Sequence, residues 1–85
     1  MARMILKTCN SYTIDKEVQA MNYDEIDGLK YFHIDTYEVL GWMVANPALF
    51  RTLLWTTEHH WYYKLYNHED MRWWCFRSRN PKEVK

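Results

Sequence analysis

The sequence has few of the residues that build flexible linkers and phosphate-binding loops. Its 85 residues include two glycines and two prolines, so long flexible linkers are not expected. A glycine-rich phosphate loop is also excluded, because Gly28 and Gly41 stand at isolated positions. The length corresponds to a single domain, and a chain this short buries only about 60% of its unfolded surface. The expected core is therefore thin.

Long apolar runs are absent as well. The first residues, MARMILKTCNSYT, contain a short apolar run that polar residues interrupt within a few positions. They predict neither a signal peptide nor a transmembrane segment. Cys9 and Cys75 are far apart in the sequence, and we interpret them as reduced, buried thiols rather than as a disulfide. The expected location is the cytoplasm, with no membrane partner.

The spacings of metal-binding and catalytic motifs are missing too. The sequence contains neither C-x-x-C nor H-E-x-x-H, and the adjacent His59 and His60 would point to opposite sides of a strand. His68 could approach one of them, but solvated histidines at strand ends are the simpler interpretation. Nothing local supports either cysteine as a nucleophile. We therefore expect no metal, no cofactor and no enzymatic activity.

The formal net charge is zero, which argues against a protein dominated by nucleic-acid or membrane electrostatics. The charges are unevenly distributed, however. Residues 1–40 carry seven acidic and four basic side chains, whereas residues 41–85 carry four acidic and seven basic ones. The two halves are able to neutralise each other within one fold.

The first third of the chain contains two predicted elements. Residues 3–9 alternate weakly and include strand-forming side chains, so they predict a first strand. Within residues 13–22, Ile14, Val18 and Met21 have the spacing of one apolar stripe on a short helix. A strand over the same region is the competing interpretation.

The middle of the chain predicts a strand followed by a helix. Residues 22–28 form a polar, acidic connection, and residues 29–35 carry apolar and aromatic side chains at alternate positions, as a strand does. Asp35 precedes the next apolar run and Glu38 follows three residues later, which is a variant of the capping box at a helix N-terminus.

A second helix is predicted directly after the first. Asn46 and Pro47 are typical of a helix N-cap and first turn, and the following PALFRTLLWTTE has an apolar stripe. Gly41 is expected to allow close approach of another backbone. The residues predicted to be buried between the two helices and the sheet are Leu40, Val44, Phe50, Leu53 and Leu54.

The most aromatic stretch of the sequence predicts a β-hairpin. Residues 60–66 and 71–78 are rich in strand-forming side chains, and NHED is a plausible four-residue loop between them. The expected fold is a single α+β domain at residues 1–78, with a mostly antiparallel sheet, a C-terminal aromatic β-hairpin and helices packed on one face. Residues 79–85 are expected to form a polar tail.

The hairpin has more large rings than one core-facing side requires. Because side chains alternate along a strand, helices on one face would leave two or more rings on the other. We interpret this surplus as a partner-binding face, together with an acidic patch on the N-terminal half; paired aromatics that only stabilise the sheet are the alternative. The predicted partner-binding residues are Tyr62, Lys64, Tyr66, Arg72, Trp74, Phe76, Arg77, Arg79, Asp24, Glu25 and Asp27.

These observations favour a small non-catalytic protein-binding module, such as an inhibitor or accessory protein that occupies a surface of a larger enzyme. Small viral proteins that block larger enzymes share this character, which is an analogy and not a match; a viral chain would act in the host cytoplasm. A homodimer through the hairpin is the simplest partnership. The acidic residues could dock onto a basic groove, or they could be ordinary solvated residues.

A nucleic-acid-binding domain is the alternative function. Two consecutive helices followed by a hairpin resemble the last part of a winged-helix domain in their order, and arginines alternate with aromatic rings in residues 72–79. The zero net charge and the single basic residue of the would-be recognition helix, Arg51, count against it.

Overall fold

The computed structural model describes residues 9–82, and these residues form a small α+β domain. The chain contains, in order, α1 (Ser11–Val18), β1 (Tyr23–Ile26), β2 (Leu29–His33), α2 (Thr36–Ala45), β3 (Leu49–Thr56), β4 (His60–Asn67) and β5 (Arg72–Arg79). The five strands make one sheet in the order β1-β2-β5-β4-β3. Only β2 and β5 pair in parallel, so the predicted mostly antiparallel sheet is confirmed. Neither described helix is long and apolar enough to cross a membrane.

Both helices begin at a side chain that caps their first turn. Asn10 caps α1 by accepting a hydrogen bond from the backbone N–H of Thr13, whose hydroxyl in turn accepts from the N–H of Asn10, so the two form a capping box. Asp35 caps α2 by accepting from the N–H of Tyr37 at 3.0 Å. The helices predicted near residues 13–22 and after Asp35 are therefore confirmed, although α1 begins two residues before the predicted range.

The predicted helix after Pro47 is wrong, because residues 49–56 form strand β3. This strand pairs with β4 at residues 49–53 and 55–56, and among the described residues it lies at an edge of the sheet. Asn46 does act as a cap, but of a turn: its side chain accepts from the N–H of Ala48 at 3.0 Å and donates to the carbonyl of Cys9 at 2.7 Å. Without this second helix, the helix-helix-hairpin order that resembled a winged-helix domain does not exist in this fold.

The helices cover one face of the sheet, and the hydrophobic core lies between the helices and that face. Ile14, Val18 and Val39 from the helices pack against Tyr63, Leu65, Trp74 and Phe76 from β4 and β5. Polar side chains also join the layers: Nδ2 of Asn67 donates to the hydroxyl of Ser11 at 3.0 Å. This arrangement confirms that the helices pack on a single face.

The predicted core list is wrong, because all five of its members are exposed. In α2 only Val39 is fully buried. Leu40 and Val44 lie on the outer side of this helix, and Val44 is 83% exposed. The remaining three belong to edge strand β3, in which Leu53 is 48% exposed. The residues predicted to be buried but found exposed are Leu40, Val44, Phe50, Leu53 and Leu54.

Two further segments differ from the sequence prediction. The acidic connection at residues 22–28 contains strand β1 and a two-residue turn at Asp27 and Gly28, whose positive φ angles of 54° and 81° are those that a type I′ hairpin turn requires. At the other end, Arg79 still pairs with His60 in the sheet, so the sheet includes the first residue of the predicted tail. The strand predicted at residues 3–9 lies outside the described residues apart from Cys9.

Candidate protein-binding surface

The side of the sheet opposite the helices carries a second, smaller aromatic cluster, and we call this side the open face. Tyr31, Tyr62 and Cys75 are buried there and pack with Ile26. The strand register assigns further side chains to the same side, because residues paired across neighbouring strands share a face. The open face is formed by Asp24, Tyr31, His33, Phe50, Trp55, His60, Tyr62, Lys64, Tyr66, Trp73, Cys75, Arg77 and Arg79.

At the centre of the open face, three rings hold one another in place. Trp55 of β3 stacks on Tyr62 of β4, with ring centroids 4.6 Å apart and planes 11° from parallel. Tyr31 of β2 meets both rings edge-on, at 5.3 Å from Trp55 and 5.7 Å from Tyr62. These geometries are the favourable ones for aromatic pairs, so Trp55 is a rigid, partly exposed ring on a buried support.

The end of the open face nearest the β4–β5 loop carries two more exposed rings. Trp73 is 45% exposed, and the Lys64 ammonium lies 4.9 Å from the centroid of its ring. Phe50 is 59% exposed and lies 6.2 Å from the ring of His68, which also meets Tyr66 edge-on at 4.7 Å. Because β3, β4 and β5 are adjacent, these rings and Trp55 belong to one continuous side of the sheet.

Burial changes the acidity of the groups beneath the rings. It raises the pKa of the Cys75 thiol, and this effect outweighs the hydrogen bond with Tyr31 and the charge of Lys64, both of which lower it. Burial also raises the pKa of the Tyr31 phenol, and the neighbouring Cys75 raises it further. The thiol and the phenol therefore remain protonated at neutral pH, which leaves Cys75 a weak nucleophile.

The structure separates the predicted hairpin residues between the two faces. Five of these residues lie on the open face: Tyr62, Lys64, Tyr66, Arg77 and Arg79. The others point to the helix side, where Phe76 is fully buried and Trp74 is 6% exposed. Trp74 and Phe76 were expected on the exposed face of the hairpin, but both rings fill the core on the helix side. Arg72 is exposed but pairs with Asp15 of α1.

The predicted acidic patch is divided in the same way. Asp24 lies on the open face, where its Oδ2 accepts a hydrogen bond from Nη1 of Arg77 at 2.8 Å and lies 3.3 Å from Nε2 of His33. Glu25 is exposed on the other side of β1, and Asp27 is exposed in the turn. Since Asp24 already binds within the chain, Glu25 and Asp27 are the two members of the predicted acidic patch that present their charge outward.

Sequence reasoning missed Phe50, Trp55 and Trp73 as members of this surface. A four-residue loop pairs even-numbered residues of β4 with odd-numbered residues of β5, as the observed pairing of Tyr66 with Trp73 shows. This pairing places Trp73 on the same face as Tyr62, Lys64 and Tyr66. The length of the loop was therefore the sequence signal that could have identified Trp73. Phe50 and Trp55 had no such signal, because their strand had the pattern of a helix.

Within residues 9–82 the structure adds no candidate metal site. No group of three or more histidine, cysteine or acidic side chains in this part of the chain is arranged to hold a metal ion.

Comparison of the chain with protein-family models, with curated proteins and with solved structures found no match.

Proposed function

We propose that this chain is a non-catalytic protein-binding module that occupies a surface of a larger enzyme or complex, as an inhibitor or accessory protein. The observation that carries the proposal is the exposure of three large rings on one side of the sheet: Phe50 at 59%, Trp55 at 38% and Trp73 at 45%. Aromatic rings are enriched at the centres of protein interfaces, where their burial provides much of the binding energy.

The support beneath these rings favours binding. Trp55 is held by its stack on Tyr62 and by the edge of Tyr31, so little side-chain freedom remains for a partner to restrict. Lys64 stands between Tyr62 and Tyr66 on β4 and lies over the ring of Trp73, which places a cation among the rings. A partner with apolar groups and an acidic group between them would fit this distribution.

Capture of a partner from an extract of the source organism tests the proposal. Replacing Trp73 with alanine should weaken capture of a specific partner at least tenfold, because a ring at an interface centre contributes about 2 kcal/mol or more. Tyr12→Ala is the matched control, since Tyr12 is also an exposed ring but lies on α1, on the helix side of the sheet. Equal capture by both variants, with folding unchanged, would contradict the open face as the binding surface.

A second copy of the chain is the simplest partner. The mass of the protein in solution should then rise with concentration, and Trp73→Ala should shift the equilibrium toward the monomer. A wild-type mass that stays monomeric up to millimolar concentration would exclude the homodimer and leave a different protein as the partner.

Single-stranded nucleic acid is the second candidate ligand. One observation favours it: cations lie beside exposed rings on the same sheet face, with Lys64 over Trp73 and with Arg77 and Arg79 further along β5. Binding to random DNA or RNA should then fall steeply as salt rises, whereas a protein interface centred on rings should be much less sensitive to salt. Micromolar binding at physiological salt would support this second candidate over the first.

A cytoplasmic location completes the proposal, in the host cytoplasm if the chain is viral. Cys9 and Cys75 are both buried and form no disulfide. Reduced cysteines are usual where thiols are kept reduced, as in the cytosol.

A further inference from the structure

A shallow, open cleft lined largely by histidine and arginine side chains lies at one end of the open face. Its volume is about 560 Å³, and it lies where the end of β2, the start of β4 and the end of β5 meet. The residues lining it are His33, Ile34, His59, His60, Arg77, Ser78 and Arg79. Five of the seven carry nitrogen-bearing side chains able to donate hydrogen bonds, and none is acidic.

The sheet register brings these donors together. Arg77 and Arg79 are two positions apart on β5, so their side chains leave the same face about 7 Å from each other. His33 pairs with Arg77 on one side, and His60 pairs with Arg79 on the other. Four of the five donors therefore come from three adjacent strands, and His59 immediately precedes β4.

Asp24 lies beside the cleft and contacts two of the side chains that line it. Its Oδ2 accepts from Nη1 of Arg77 at 2.8 Å and lies 3.3 Å from Nε2 of His33, so one carboxylate contacts two of the lining side chains and orients the guanidinium. A guanidinium has five N–H donors, and this contact uses one of them. Arg77 is thereby held in position with further donors for a second anion.

We propose that this cleft binds the phosphate group of a small phosphorylated ligand. A phosphate dianion has three terminal oxygens, which suits the planar guanidinium forks of two arginines and imidazole donors on either side. Guanidinium groups suit phosphate because their planar forks offer paired N–H donors together with a positive charge, and two of them line the cleft. The cleft adjoins the ring cluster, since the ring of His60 lies 6.3 Å from that of Tyr62, but the phosphate proposal does not depend on the protein-binding proposal.

The experiment is a titration of the full chain with inorganic phosphate, followed by the amide resonances in two-dimensional NMR. Chloride at the same ionic strength is the control for screening. Saturable shifts confined to residues around the cleft are expected with phosphate and not with chloride. Ribose 5-phosphate and adenosine monophosphate, titrated in the same way, distinguish free phosphate from a sugar phosphate or a nucleotide as the source of the group.

Two variants and one control decide whether the cleft itself is responsible. Arg79→Gln and His60→Gln should each weaken phosphate binding, the arginine change about tenfold because a charge-assisted hydrogen bond is lost. Lys16→Gln should leave it unchanged, because Lys16 is an exposed cation on α1, on the helix side of the sheet. Shifts that do not saturate with any of the three ligands, or that are equal in Arg79→Gln and Lys16→Gln, would overturn the proposal. Trp73→Ala should keep phosphate binding, which separates this test from that of the protein-binding surface.

Discussion

The indole nitrogen of Trp74 donates a hydrogen bond to Oδ1 of Asp15 at 2.7 Å, across the boundary between β5 and α1. The other oxygen of Asp15 pairs with Arg72, two residues earlier on the same strand. One carboxylate therefore attaches the first helix to a central strand through two side chains. Through this contact an acid of the N-terminal half meets a base of the C-terminal half at the surface of the fold.

Replacing Asp15 with alanine should lower the free energy of unfolding by about 1–3 kcal/mol, because the partly buried indole N–H loses its acceptor. Urea denaturation measures the change. Glu17→Ala is the control, since Glu17 is an exposed carboxylate on the same helix. A loss no larger than that of the control would show that the Asp15 contact contributes nothing to stability.

Two leucines on neighbouring strands test the position of the core. Leu65 of β4 is fully buried, whereas Leu53 of β3 is 48% exposed. Leu65→Ala should cost about 2–5 kcal/mol, and Leu53→Ala should cost distinctly less because it leaves a smaller cavity. Thermal and urea denaturation of the two variants provide the comparison. Equal losses would argue that residues 49–56 pack as a core helix and not as an edge strand.

The misassigned segment shows why the sequence pattern was misleading there. Leu49, Arg51 and Leu53 follow the alternation of a strand, but a bulge between Leu53 and Trp55 shifts the pairing by one residue. The extra residue places leucines next to each other, which produces the three-and-four spacing of a helix. The strand is formed by pairing with β4, a tertiary contact that local propensity does not contain.

Elements with strong local signals were predictable. Asp35 capped its helix as expected, and the hairpin of β4 and β5 follows from its strand-forming residues and short loop. The faces of that hairpin required the cross-strand register as well, and without it Trp74 was assigned to the wrong side. The cleft could not be predicted, because it combines His33 with histidines and arginines between 26 and 46 positions later in the chain.

The two glycines should respond in opposite directions to substitution by alanine. Gly28 has a φ of +81° in its hairpin turn, so Gly28→Ala should cost about 1–2 kcal/mol. Gly41 lies within α2, and a Cβ added there meets nothing within 4 Å among the described residues. The expectation that Gly41 allows close approach of another backbone therefore finds no support in the described part of the fold.

Gly41→Ala should stabilise the protein by about 0.5–1 kcal/mol, through the better helix propensity of alanine. Urea denaturation of the two variants checks the signs. A destabilising Gly41→Ala would mean that another group packs closely on that side of α2.

The free energy of unfolding should fall as the pH rises through the alkaline range. Of the groups whose pKa burial raises, we expect the Cys75 thiol to contribute at the lowest pH. Burial raises the pKa of Cys75 above its ordinary value of 9.0, so between 9.0 and the higher folded value the native state holds a proton that the unfolded chain has released. The free energy of unfolding must decrease through that interval. The phenols of Tyr31 and Tyr63, whose pKa values burial raises above 10.0, extend the decrease to higher pH.

Cys75→Ala isolates the contribution of the thiol. The variant should be less stable than the wild type near pH 8, because a buried side chain has been shortened, yet its free energy of unfolding should change less between pH 8 and pH 10. Urea denaturation at several pH values over this range measures both effects. Cys9→Ala serves as the comparison, since it removes the other buried thiol at a position on the helix side of the sheet. If Cys75→Ala declines as steeply as the wild type, the thiol beneath the Tyr31 and Tyr62 rings is not the group that begins the loss of stability.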